Sequence, residues 1–185
     1  MQSPRVKAEG KRTAPLMQTI RAGARAGRNI MRVHEIMTEP SQTCPRGMHL
    51  ADASRRMRAT GCGTLIVLGP DGLIAGIITD RDVALAVGDA PDAGRLTLHQ
   101  VMSRPVHTCR TDDHLGVALD RMAAFHVRRL PVVDESGGVK GLISIDDIVL
   151  WGLRSPGVST HAVVAALRAL ASASSFAARE YAETA

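Results

Sequence analysis

Two hydrophobic periods alternate along the chain. Leu50, Ala53 and Met57 return at the three-and-four spacing of one helix face, as do Leu115, Ala118, Leu119 and Met122. The stretches 65–68 and 130–133 are short apolar runs of strand length. Each is followed by a second such run, at 73–78 and 139–143. Gly69-Pro70-Asp71-Gly72 and Asp134 to Gly138 divide the runs with turn chemistry, so each pair reads as a hairpin. Thr79 and Ser144 then stand where a helix N-cap is expected, because a hydroxyl there accepts from an otherwise unpaired backbone N–H. Pro40 and Pro105 bias the residues before them away from helix. Brief extended pieces are expected after them, over 42–44 and 107–109.

The two halves of this pattern are copies. A spacing of 65 residues carries Met37 onto Met102, and the same spacing carries His49 onto His114, Leu65 onto Leu130, Gly76 onto Gly141 and Asp82 onto Asp147. No gap is needed from Val33 to Ala84. The order in each copy is β-α-β-β-α. A unit of this size has little core of its own, so the copies are expected to pack sheet against sheet. The expected fold is mixed α/β (α+β): two tandem β-α-β-β-α repeats about a pseudo-twofold axis, plus a C-terminal helix. The expected divisions are a basic tail over 1–32, repeats over 33–96 and 97–154, and a helical segment over 155–185. In that segment Val163, Val164, Leu167 and Leu170 mark an apolar stripe suited to packing or dimerisation. Ser172 to Ser175 is expected to weaken the helix.

Charge changes the picture once it is located. Across 185 residues, 23 Lys and Arg stand against 18 Asp and Glu, a net of +5. Residues 1–32 hold eight basic residues against Glu9 alone, a net of +7, which leaves −2 for everything after them. The repeats are therefore not a basic surface. The tail has no apolar periodicity and reads as disordered. It is a polyanion-binding arm, an organellar presequence, or upstream sequence preceding a start at Met31, and the last fits best. Nucleic acid is a partner only if that tail is real. Aromatic residues amount to 2%, namely Phe125, Trp151, Phe176 and Tyr181. That scarcity argues against single-strand nucleic-acid modules and predicts an aliphatic core. No apolar run reaches membrane-spanning length, and the expected setting is cytoplasmic.

The sharpest local chemistry is Gly76-Ile77-Ile78-Thr79-Asp80-Arg81-Asp82, repeated as Gly141-Leu142-Ile143-Ser144-Ile145-Asp146-Asp147. A hydroxyl ends a strand and an acid follows three residues later. That spacing is a capping box, which only starts a helix. It also serves a ligand, because a carboxylate in a first helical turn accepts from vicinal ribose hydroxyls, and the helix N-terminus favours a phosphate. Both readings stand on spacing alone.

With the Met37-Thr38 and Met102-Ser103 openings and Arg129-Leu130-Pro131-Val132-Val133-Asp134, these motifs give the chain a resemblance to the CBS-domain family. The resemblance is to a tandem pair, a Bateman module, over residues 33 to 152. It implies a regulatory, non-catalytic module that binds adenosine-containing ligands (AMP, ADP or ATP, with S-adenosylmethionine less favoured) in clefts between the repeats. Thr79 and Asp82, with Ser144 and Asp147, are the implied ribose and phosphate contacts. The stretches 41–43 and 106–108, including Thr108, are the implied adenine lining. Arg128 and Arg129 are the implied phosphate contact. The copies differ here: Gly63 and Thr64 align with Arg128 and Arg129, and Arg81 aligns with Asp146. The repeat-two cleft is therefore expected to bind phosphate better. A homodimer and an effector protein are the expected partners.

The alternative is a ligand-free structural or redox-responsive protein in which Cys44, Cys62 or Cys109 is the sensor. Three cysteines without a CxxC pair show no zinc spacing. A site between Cys44 and Cys109 requires pseudo-symmetry to bring them together, and the better reading is buried thiols acting as small hydrophobes. The sequence shows no nucleophile–base pair and no carboxylate dyad.

Overall fold

The computed structural model describes residues 31–154 and 158–183, with side chains through Ser172. The basic tail expected over 1–32 lies outside the described residues apart from its last two positions, as does the link at 155–157.

Two three-stranded sheets are built on one plan. In the first, β1 (Thr43–Pro45) runs parallel to β2 (Thr64–Leu68), which pairs antiparallel with β3 (Ile74–Thr79). In the second, β4 (Cys109–Arg110), β5 (Arg129–Val133) and β6 (Val139–Ser144) repeat that order. Helices α1 (Leu50–Thr60) and α4 (Leu115–Phe125) follow the first strands, and α2 (Asp80–Asp89) and α5 (Ile145–Leu150) follow the hairpins. A four-residue α3 (Leu98–Val101) precedes the second repeat, and α6 (Thr160–Glu183) closes the chain. The fold class read from the sequence is the one observed.

Local chemistry explains the ends. Helix α1 stops at Gly61 in the left-handed region (φ 68°), where glycine has no Cβ penalty. Its counterpart at the end of α4 is His126, which takes φ 54° without that freedom. Helix α6 runs through Ser172 to Ser175 without a break, against the weakening expected there.

The sequence repeat and the packed body are different units. Thr38, leading into repeat one, bridges to Leu142 on β6 of repeat two, and Ser103, leading into repeat two, bridges to Ile77 on β3 of repeat one. The cores follow the same exchange. Val33 is buried with Leu115, Leu119 and Ile148 of repeat two, whereas Leu98 and Met102 are buried with Leu50, Leu65 and Ile78 of repeat one. Gly76 and Gly141 make this possible. A Cβ on Gly141 would fall 2.8 Å from Met37 Sδ and 3.0 Å from the Thr38 carbonyl oxygen, and one on Gly76 would collide with Met102. The glycine that opens each motif is therefore where the other repeat's lead-in crosses the sheet.

Strand β2 is buried on both faces, including Thr64 and Ile66, which alternate with the core residues Leu65 and Val67. Helix α6 lies on α4, with Val163, Ala166 and Leu170 buried in the repeat-two core.

Candidate ligand-binding clefts

Both hydroxyl–acid motifs form complete capping boxes. The Thr79 N–H and Oγ1 both donate to Asp82 Oδ2 at 2.7 Å, and the Asp82 N–H donates back to Thr79 Oγ1 at 3.3 Å. Ser144 and Asp147 repeat the arrangement at 2.8, 2.6 and 3.2 Å. Each cap contributes about 1 kcal/mol to its helix. The capping reading thus holds for both motifs, yet it occupies one carboxylate oxygen of each acid. The second oxygen differs between the repeats. Asp82 Oδ1 receives the Ser103 hydroxyl at 3.5 Å, whereas Asp147 Oδ1 has no hydrogen-bond partner among the described residues. The cap of each helix thus uses Oδ2 of its acid and leaves Oδ1 outside the cap.

The exchange of lead-ins makes each cleft composite. Ser103, at the head of the stretch that includes Thr108, meets the Thr79–Asp82 motif of repeat one. Thr38, at the head of the stretch 41–43, runs beside β6 just ahead of Ser144 and Asp147. Thr108 is half-buried, and its carbonyl accepts from Arg121 Nη1 at 2.8 Å, an arginine that also holds Asp113 at 3.1 Å. Arg121 therefore fixes the backbone of this stretch, a role its sequence position did not signal.

The cations are distributed unequally. Arg129 is half-buried at the start of β5 and pairs in register with Ser144. Arg128 is exposed, and its guanidinium lies 3.7 Å from the Asp146 carboxylate. An exposed pair of this kind contributes about 0.2–1 kcal/mol, less than the roughly 1.5–3 kcal/mol of a charge-assisted bond to phosphate. In repeat one Arg81 is exposed, with its backbone N–H on Asp80 Oδ1. Thr64, aligned with Arg129, is 4% exposed, and its Oγ1 has no partner among the described residues. It pairs in register with Thr79, so the repeat-one motif has an unpaired hydroxyl beside it where repeat two has a guanidinium. A buried hydroxyl left unpaired costs about 1–3 kcal/mol.

One ring pair is not visible in the composition. The His107 and Phe125 rings are stacked, with centroids 3.6 Å apart and planes 5° apart. His107 lies in the stretch 106–108, which the family resemblance implies as adenine lining. The count omitted histidine, and a contact between residues 18 apart in sequence carries no local signal.

The thiols do not assemble. Cys44 and Cys109 are buried in separate cores, where burial pushes their pKa values up to about 11 and about 12. Among the described residues, no group of three His, Cys, Asp or Glu is placed to hold a metal ion, and no helix is long and apolar enough to cross a membrane. Asp134, which opens the turn of the second hairpin, accepts from Ser136, Lys140 and Gly138, and these bonds hold its carboxyl well below the usual range.

The family model described as CBS domain matches residues 33–89 and 98–153. A homoserine O-acetyltransferase from Methanosphaerula palustris is 35% identical over 116 residues, 63% of this chain, and the chain spans 23% of that protein's length. A conserved CBS domain protein of unknown function from Thermoplasma acidophilum superposes with a TM-score of 0.64 at 20% identity, covering 75% of each chain. A CBS domain pair solved with 5'-methylthioadenosine and S-adenosyl-L-methionine superposes with a TM-score of 0.61 at 25% identity, covering 68% of this chain and 99% of that one.

Proposed function

The chain belongs to the CBS-domain family, and from that premise we propose that it is a regulatory module whose composite clefts bind an adenosine-containing ligand. Asp147 and Asp82 accept from the ribose hydroxyls, while Ser144 and Thr79 hold those carboxylates in place. The stretches 41–43 and 106–108, with Thr108, line the base. The observation that carries the reading is that each acid spends only one oxygen on its helix cap, with Asp147 Oδ1 unpaired beside the start of α5. The CBS pair solved with two adenosine compounds supports the ligand class.

Within that class, AMP, ADP or ATP fits the Arg128 and Arg129 side, where a phosphate gains two guanidiniums. Repeat one offers Gly63 and Thr64 at those positions and Arg81 alone nearby. S-adenosylmethionine, a sulfonium, brings no phosphate and offers a guanidinium only its α-carboxylate. A ligand held by an acid of one repeat and the lead-in of the other ties the two bodies together. Occupancy then favours one relative arrangement over another, which is what a switch requires. The readout passes to a partner chain and to an effector protein in the cytoplasm. We read the chain as non-catalytic, since its likeness to the acetyltransferase takes in 23% of that protein.

Calorimetric titration with AMP, ADP, ATP and S-adenosylmethionine tests this. Arg129→Ala is expected to weaken AMP by about 10-fold or more. Equal AMP affinity for Arg129→Ala and the parent overturns the phosphate assignment. The absence of binding to all four ligands overturns the ligand reading in favour of an empty-cleft interaction protein.

A further inference from the structure

The two base-lining stretches are held in place by different means. In repeat one the Ile66 N–H donates to the Gln42 carbonyl at 2.9 Å, and Thr43 pairs in register with Ile66. The backbone ladder thus anchors the stretch 41–43 to its own sheet. The residues 65 positions after Gln42, Thr43 and Ile66 are His107, Thr108 and Pro131. Proline carries no N–H, so Pro131 offers the His107 carbonyl no ladder bond. The strands record the loss. Strand β1 begins at Thr43 and has three residues, whereas β4 begins at Cys109 and has two. The second stretch therefore joins its sheet one residue later than the first.

Helix α4 takes over the anchoring. Arg121 Nη1 donates to the Thr108 carbonyl at 2.8 Å and to Asp113 Oδ2 at 3.1 Å. One turn further along, Phe125 stacks on His107 with ring centroids 3.6 Å apart. Residues four apart share a helix face, so α4 grips two adjacent residues of the stretch from one side. Asp113 Oδ2 also accepts the Arg110 N–H at 2.9 Å, which fixes the carboxylate that aims Arg121. Repeat one keeps the arginine and lacks the rest of the set. Arg56 aligns with Arg121, but Met48 stands in place of Asp113 and Thr60 in place of Phe125. Among the described residues Arg56 does not bond the Thr43 carbonyl as Arg121 bonds that of Thr108. Each repeat thus has one anchor: a ladder bond in the first, a side-chain clamp in the second.

We infer that Arg121 and Phe125 are positioning residues for the repeat-two cleft. They hold the stretch 106–108 where the missing ladder bond would otherwise secure it, so a base meets a preformed wall. A preformed wall spares the ligand the cost of ordering it, roughly 10-fold in affinity for each backbone residue fixed. The inference rests on the proposed function, because it places these residues behind the base side of the same cleft. It is separate from the phosphate assignment of Arg128 and Arg129, and adenosine, which has no phosphate, is the probe that separates them.

The test is calorimetric titration with adenosine of the full chain, in an Asp82→Asn background that removes the repeat-one acceptor. Circular dichroism and urea unfolding follow the fold alongside. Arg121→Met is expected to weaken adenosine by about 10-fold. Arg121→Lys is expected to stay close to the background, because a single nitrogen makes both of the arginine's bonds. Phe125 is 47% exposed, so Phe125→Ala is expected to fold and to bind adenosine more weakly. Pro131→Val returns an N–H to β5, and combined with Arg121→Met it is expected to recover most of the lost affinity. Packing lost around Arg121 would not be made good by an N–H on a strand. A folded Arg121→Met chain that binds as the background does overturns the inference while the ligand reading stands. So does a Phe125→Ala chain with undiminished affinity, or a double variant that regains none. A background chain that binds no adenosine overturns the ligand reading, and this inference falls with it.

Discussion

At the scale of single residues, the decisive division is between the two oxygens of one carboxylate. Capping fixes Asp147 Oδ2 and leaves Oδ1 for other work, so a short motif is both a helix start and a candidate ribose contact. Cys44 and Cys109 show the opposite case, in which burial suppresses the reactive form of the thiol. A thiol whose pKa is pushed up to about 11 or 12 is protonated at neutral pH, and the thiolate is the reactive form. Brief maleimide treatment of the native protein, read by mass spectrometry, is therefore expected to leave Cys44 and Cys109 unmodified, with both reacting after unfolding. Rapid native modification of either would restore the redox reading. The motif residues were legible in the sequence because each acts through neighbours three positions away. The His107–Phe125 stack, the Arg121 bond to Thr108 and the Arg128–Asp146 pair were not, since each joins residues that only tertiary structure brings together.

At the scale of elements, the lead-in segments and the glycines beneath them decide how the repeats interlock. The hairpins and the helices α1, α2, α4 and α5 could be read from period and turn chemistry. The exchange could not, because Met37-Thr38 and Met102-Ser103 are nearly the same words and fit either sheet equally well. Helix α3, at four residues, is too short to show a period. The crossing makes a clear prediction. Gly141→Ala forces Met37 and the Thr38 backbone away from β6, and is expected to cost about 1–3 kcal/mol of unfolding free energy by chemical denaturation. Gly76→Ala collides with the Met102 side chain instead, so Met102→Ala is expected to recover part of its cost. Additive costs for the Gly76 and Met102 changes would mean that the two do not meet.

At the scale of the whole molecule, the chain is two bodies of common origin made unequal. The second is closed by α6 and carries Arg128 and Arg129; the first carries Gly63 and Thr64 at those positions. Net charge, which first suggested a polyanion partner, belongs mostly to residues 1–32, and the arginines of the proposed phosphate side are Arg128 and Arg129. The central claim is that Asp147 serves a ligand as well as a helix. Its most direct test is an AMP titration of Asp147→Asn by calorimetry, with the melting temperature measured alongside. Asn retains an oxygen for the cap, so the fold is expected to persist. AMP affinity is expected to fall about 10-fold or more through loss of a charged acceptor. A folded Asp147→Asn protein that binds AMP as tightly as the parent would contradict the account.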